Sequence, residues 1–196
     1  MNYLGHAYLS FGDAEVLTGN MIGDHVKGKL VAQEHYPAGI WKGIMLHRKI
    51  DEFSDNHSAT RRAKLIFRED YGLYSGAIMD TLYDHFLAND PKIFDVDPAL
   101  EKFSEQTYEQ LAANAAYFPE GFAAYFPHMR EHNWLYGYRT MKGMERSLTG
   151  LTRRAKHMPP PEKAYELFVT HFYQLNQAYY ELIDDMIGFV KNELQK

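Results

Sequence analysis

Apolar residues recur at helical spacing along nearly the whole chain, and no run alternates in the way a half-buried strand requires. Asp13 is placed to cap a helix running to about His25. Leu17, Met21 and Asp24 lie along one stripe of it, with Asn20 beside them. Lys27-Gly28-Lys29 reads as its stop. Pro37 opens a second helix, to about Phe53, on which Ile40, Ile44, His47 and Asp51 share a face. The polar break Ser54-Asp55-Asn56-His57-Ser58 precedes a helix from about Ala59 to Glu69, which Tyr71-Gly72 ends. The next helix, about Ser75 to Asn89, has two readings. Ile78, Met79, Leu82 and Phe86 form an apolar side that includes His85, while Asp80, Tyr83, Asp84 and Leu87 form the neighbouring face. Its periodicity leaves open which face turns inward.

In the second half, Asp97-Pro98 predicts a capped helix to about Tyr117. Pro119 and Pro127 punctuate a short helix, and another spans about Glu131 to Thr149. Pro159-Pro160-Pro161 reads as a stiff connector. Glu162 to Leu194 reads as one long amphipathic helix, bent at Gly188. The absence of repeats, low-complexity tracts and composition breaks predicts one all-α domain over 1–196, of about seven or eight helices.

The polar residues that interrupt the apolar stripes carry the chemistry. Asn20/Asp24, His47/Asp51 and Asp80/Asp84 are each four apart, so each pair shares a helix face. Imidazoles and carboxylates converging from several helices are how a bundle holds a metal. Such oxygen and nitrogen donors suit Mn²⁺, Mg²⁺ or Fe, and a divalent ion among them would polarise a phosphoryl oxygen. The competing reading is a set of caps, ion pairs and satisfied core groups. His6 lies in an apolar run and reads either as a core histidine or as a site member. Arg48, about 100° round the helix from His47, suits either a phosphate or an ion pair with Asp51 or Glu52. Asp55 and His57 read as ligand-orienting groups or as caps. The aromatic stretch from Tyr117 to Trp134, which includes Tyr125, reads as core rather than groove.

Composition narrows the function classes. A chain 45% hydrophobic and 15% aromatic has enough apolar surface for a sizeable core. The absence of cysteine excludes disulfides, thiolate zinc sites and a cysteine nucleophile, and it suits the cytoplasm. The N-terminal stretch lacks a basic region followed by an apolar run, so no signal peptide is expected. No run of about 18 apolar residues predicts a membrane span. A net charge of −5 disfavours nucleic acid as a partner. The basic clusters Lys27/Lys29, Arg61/Arg62/Lys64 and Arg153/Arg154/Lys156 are local. They would dock an acidic partner or form an ordinary solvated face. No Walker loop, dinucleotide fingerprint, ferritin-type Glu-x-x-His or H-E-x-x-H motif occurs.

The segments 1–6 (MNYLGH), 19–24 (GNMIGD), 43–51 (GIMLHRKID), Ser54-Asp55 and 80–87 (DTLYDHFL), with weaker matches at Trp134-Leu135 and Arg153-Arg154, resemble the acyl carrier protein phosphodiesterase family. The resemblance implies an all-helical fold distantly similar to HD-domain phosphohydrolases. It implies hydrolysis of holo-acyl carrier protein to the apo-protein and 4′-phosphopantetheine, with a divalent metal, Mn²⁺ first. It implies ligands at Asp24, His47 and the helix bearing Asp80, Asp84 and His85, taken as Asp80 and His85. Asp51 or Asp84 would then accept a proton, and Arg48 would steady the phosphoryl charge. His6, Asn20 and Asp55 would support the ligands, while Lys27, Arg153 and Arg154 would meet the acidic carrier protein. The chain departs from the standard HD pattern: Asp84-His85 runs in the reverse order. Two other functions fit the same residues: a phosphohydrolase of small diesters or nucleotides, and a non-catalytic helical protein that binds an acidic partner.

Overall fold

The computed structural model describes residues 1–28, 34–96, 98–155 and 157–196. Helices account for all the regular structure among them, as the sequence predicts. They run α1 (Tyr3–Tyr8), α2 (Ala14–Ile22), α3 (Ala38–Asn56), α4 (Ser58–Tyr71), α5 (Ser75–Ala88), α6 (Ala99–Ala113), α7 (Glu120–Glu131), α8 (Trp134–Gly137), α9 (Met141–Arg154), α10 (Pro161–Thr170) and α11 (Phe172–Leu194). The expectations for Lys29, Asp97 and Lys156 lie outside the described residues. Asp13 caps α2 as expected, its Oδ1 accepting from the amides of Glu15 and Val16 at 3.0 Å each.

Three helical expectations need correcting. The segment expected as one helix from 131 to 149 is α8 and α9. Asn133 enters the left-handed region (φ 42°) and caps α8 through its side chain, and Thr140 caps α9. The long C-terminal helix is α10 and α11, divided at His171, and it runs unbroken through Gly188. The six-residue α1 had no periodicity to announce it. It is too short to hold itself together, and it is stabilised from outside: the amides of Asn2, Leu4 and Gly5 donate to the buried Asp84 carboxylate at 3.1, 2.7 and 3.0 Å.

α2 and α3 pack with their backbones in contact. A methyl group on Gly19 would lie 1.9 Å from the Ile40 carbonyl oxygen, and one on Gly43 would lie 2.2 Å from that of Val16. The paired glycines bring the polar faces of the two helices within hydrogen-bonding reach. α5 runs through the interior: Ile78, Met79, Leu82, Tyr83, Phe86 and Leu87 are all buried, and so are Thr81, Asp84 and His85. A helix buried all round carries no solvent face to fix its register, which is why its periodicity was ambiguous. One continuous apolar core draws buried residues from all of α1–α11.

The glycine contact yields a direct prediction. Gly19→Ala forces two helix backbones apart and lowers stability by about 1–3 kcal/mol, measurable by urea unfolding. Gly150→Ala, inside α9 at a position with open space around it, serves as the control and raises stability slightly, by about 0.5–1 kcal/mol of helix propensity.

Candidate metal centre

Three polar side chains, His6 from α1 and His47 and Asp51 from α3, meet where α1, α2 and α3 converge. His6 Nε2 lies 3.1 Å from Asp51 Oδ1, and His47 Nε2 lies 3.2 Å from Asp51 Oδ2. The two imidazole rings stack with centroids 4.0 Å apart and planes 19° apart. Ligand atoms of His6, His47 and Asp51 all fall within 4.8 Å of one another. Asp24, from the 3₁₀ turn Gly23–His25 that follows α2, reaches the edge of this group. Its Oδ1 is 3.1 Å from His47 Nε2, and its side chain is 74% exposed. Gly23 makes room for the His47 ring, since a methyl there would lie 2.4 Å from the ring's Cγ.

Asn20 determines which nitrogens face inward. Its side-chain amide donates to the His6 carbonyl at 2.8 Å and to Ser10 Oγ at 3.1 Å. That fixes its Oδ1 as the acceptor opposite His6 Nδ1, at 2.8 Å. His6 therefore carries its proton on Nδ1. The Asn20 backbone carbonyl accepts from His47 Nδ1, also at 2.8 Å. Both imidazoles thus donate through Nδ1 and turn Nε2 toward the Asp51 carboxylate. A neutral Nε2 and a carboxylate oxygen are both acceptors, so the contact needs a cation: a second ring proton or a metal. Metal-bound histidines are commonly oriented in this way, with the other ring nitrogen donating to a carbonyl.

The electrostatics divide the two rings. Burial pushes His6 below the usual histidine range, and the charge of His47 pushes it the same way. Burial opposes protonation of His47 too, but its bonds to Asp24 and Asp51 outweigh that and raise it to about 9. Asp51, despite its burial, is held well below the carboxylate range by the two histidines. A proton on His47 therefore answers one of the two contacts and leaves the His6–Asp51 contact without a hydrogen. The donor set fits a divalent ion, which answers both contacts at once.

The other expected site residues are placed as follows. Asp80 accepts from the Met1 ammonium at 2.8 Å, and that ammonium also lies 3.6 Å from Asp51. Burial opposes the charge on this amine, but the Asp80 and Asp51 charges raise it to about 10. Asp84 anchors α1 with both oxygens, and burial lifts it to about 7 against the pull of the ammonium and the three amides. His85 donates through Nδ1 to the Tyr138 carbonyl at 2.7 Å and sits edge-on to Phe86, Phe168 and Phe172. Its contacts lead into the aromatic core, on a different side of α5 from Asp84. Arg48 donates to the carbonyls of Val26 and Gly28 at 3.0 and 3.3 Å, so it ties down the loop after Asp24 instead of pairing with Asp51 or Glu52.

Away from the centre, Asp55 pairs with Lys64, and His57 caps α4 and meets Asp185 on α11. Arg62 pairs with Glu181. Lys27, Arg153 and Arg154 are exposed. A second group of possible ligand atoms, His128, Glu131 and His132, lies on the exposed end of α7.

Sequence reasoning missed two polar groups beside the centre. His25 Nε2 is hydrogen-bonded to Tyr125 Oη, which is also hydrogen-bonded to Tyr3 Oη. His25 follows Asp24 directly, but the tyrosine that meets it is 100 residues further along, and no local spacing announces such a pair.

Two predictions follow from this geometry. Asn20→Ala frees the His6 ring, while the backbone carbonyl still holds His47, and Mn²⁺ affinity measured calorimetrically falls about 10–100-fold; an unchanged affinity contradicts the assignment. In metal-free protein, His47 is raised from 6.5 to about 9. Its contribution to stability is complete below pH 6.5 and is lost as the pH rises through 9. The unfolding free energy from urea titrations in chelator therefore falls between pH 6.5 and 9, by roughly 3 kcal/mol, and His47→Gln flattens much of that slope.

The sequence profile described as acyl carrier protein phosphodiesterase matches residues 1–186. A protein of that name from Klebsiella pneumoniae (strain 342) is 27% identical over 193 residues, which is 98% of this chain and 99% of the relative. One from Enterobacter sp. (strain 638) is 26% identical over the same shares. One from Salmonella paratyphi A is 27% identical over 188 residues, 96% of each chain. No solved structure matches.

Proposed function

Given that the chain belongs to the acyl carrier protein phosphodiesterase family, we propose that it hydrolyses the phosphodiester of holo-acyl carrier protein, releasing the apo-protein and 4′-phosphopantetheine. The observation that carries this reading is the pair of Nε2 atoms turned on one carboxylate by Asn20. His6, His47 and Asp51 would hold a divalent ion, Mn²⁺ first by the chemistry of nitrogen and oxygen donors. When bound, such an ion supplies Lewis-acid stabilisation of phosphoryl oxygens and lowers the pKa of water. The roles expected for Asp51 and Asp84 shift accordingly. Asp51 is a ligand, and Asp84, with both oxygens filled by backbone amides, builds the site by holding α1.

Proton acceptance passes to Asp24. Its carboxylate is exposed at the edge of the group, and in metal-free protein the hydrogen bond from His47 holds it ionised below the usual range, against a smaller effect of burial. In the reaction, a water oxygen forms the new bond to phosphorus and gives its proton to Asp24. The bond from phosphorus to the serine oxygen breaks, and that oxygen takes a proton from solvent while Asp24 returns its own to solvent.

The carrier protein is acidic, and the exposed Lys27, Arg153 and Arg154 would meet it. The absence of cysteine fits a cytoplasmic protein. No helix among the described residues is long and apolar enough to cross a membrane.

Incubation of the chain with holo-acyl carrier protein and Mn²⁺, followed by weighing of the carrier by mass spectrometry, tests the reading. Loss of the phosphopantetheine mass is expected, with turnover by Asp51→Asn reduced more than about 100-fold. An intact carrier together with cleavage of small diesters would assign a different substrate to the same centre.

A further inference from the structure

Beside the metal-ligating group stands a second polar array that contains none of the proposed ligands. Tyr3 lies one turn before His6 on α1, and His25 follows Asp24. Tyr125 reaches in from α7, and its hydroxyl bridges Tyr3 Oη and His25 Nε2. α7 can come this close because position 121 is glycine: a methyl there would lie 2.9 Å from His25 Nδ1. The Trp134 ring from α8 stacks on Tyr125 with centroids 6.1 Å apart and planes 10° apart, and remains 37% exposed. Arg154, the last residue of α9, lies close enough for its charge to offset part of the burial effect on Tyr3 and Tyr125. Arg48 is committed to loop carbonyls, so Arg154 is the arginine at this side of the centre.

The protons of this array can be counted. Three groups share two hydrogen bonds. With His25 protonated on Nδ1, the two phenol protons fill both bonds and none is left over. With His25 protonated on Nε2, three protons serve two bonds, and one phenol O–H is left to donate elsewhere. An arriving anionic oxygen selects the second arrangement. A stacked, half-exposed indole and phenol next to it offer an apolar wall suited to an uncharged chain.

We propose that Tyr125, set between His25 and Tyr3, binds a non-bridging phosphoryl oxygen of the substrate, and that the Trp134–Tyr125 stack supports the pantetheine arm behind it. The proposal rests on the reading that the substrate is a phosphopantetheine diester. It adds the subsite that holds the substrate by donated hydrogen bonds rather than through the metal group.

The test uses the whole chain in chelator, so that no metal contributes, with 4′-phosphopantetheine and pantetheine as paired probes in NMR titrations. Tyr125→Phe, which keeps the ring and its stack, weakens phosphopantetheine about tenfold and leaves pantetheine unchanged. Trp134→Ala weakens both probes by the same factor, and Trp134→Phe restores much of the loss. Unchanged binding of phosphopantetheine to Tyr125→Phe overturns the proposal. So does an equal loss for both probes, or a wild-type chain that does not prefer the phosphorylated one. The two readings fail separately. If the wild type leaves holo-carrier uncut while Tyr125→Phe shows the phosphate-selective loss, the reaction is wrong and the subsite stands. If the carrier is cut and Tyr125→Phe binds as the wild type does, the subsite is wrong and the reaction stands.

Discussion

The site depends on one side chain that would not itself touch a metal. Asn20 is buried, and all its hydrogen-bonding capacity at the centre is directed at two histidines and Ser10. Because its amide nitrogen is occupied as a donor, its oxygen must accept, and His6 has no choice of tautomer. Because its own carbonyl accepts from His47, the second ring is fixed in the same sense. Two Nε2 atoms then face Asp51 in a buried setting, and without a cation each contact would set acceptor against acceptor, which is unfavourable. The requirement for a cation is therefore built into the network and does not depend on any one ligand distance.

That network is possible only because of how the helices meet. Gly19 and Gly43 let α2 and α3 touch along their backbones, which brings the carbonyl of residue 20 to the ring of residue 47. Asp84, on the interior helix α5, gathers the free amides of α1 and so places His6 opposite Asp51. A carboxylate that looks catalytic in the sequence holds the element that bears His6. Burying it is tolerable because its oxygens are filled by backbone donors and an ammonium lies nearby.

Much of the first half of the fold could be read from sequence, because α2, α3 and α4 have apolar stripes and clear caps. His47 and Asp51, which continue the Ile40–Ile44 stripe, were recognisable for the same reason. α1 was not, since six residues carry too little periodicity. Its histidine could be placed only once its contact with Asp84 was known. α5 gave two equally good registers because it is buried on every side, and both its faces are in fact internal. The breaks at Asn133 and His171 depend on a left-handed residue and on a helix terminus that apolar spacing does not encode. The Tyr3–Tyr125–His25 array joins three distant segments, and nothing local announces it.

Nitrogen-15 NMR of the histidine rings reads the central claim directly. The account predicts that in metal-free protein His6 is neutral with its proton on Nδ1. It further predicts that Zn²⁺, used as a diamagnetic probe, moves the Nε2 resonances of both His6 and His47 while their Nδ1 protons remain in place. A His6 protonated on Nε2, or Nε2 resonances that do not respond to the ion, would contradict it.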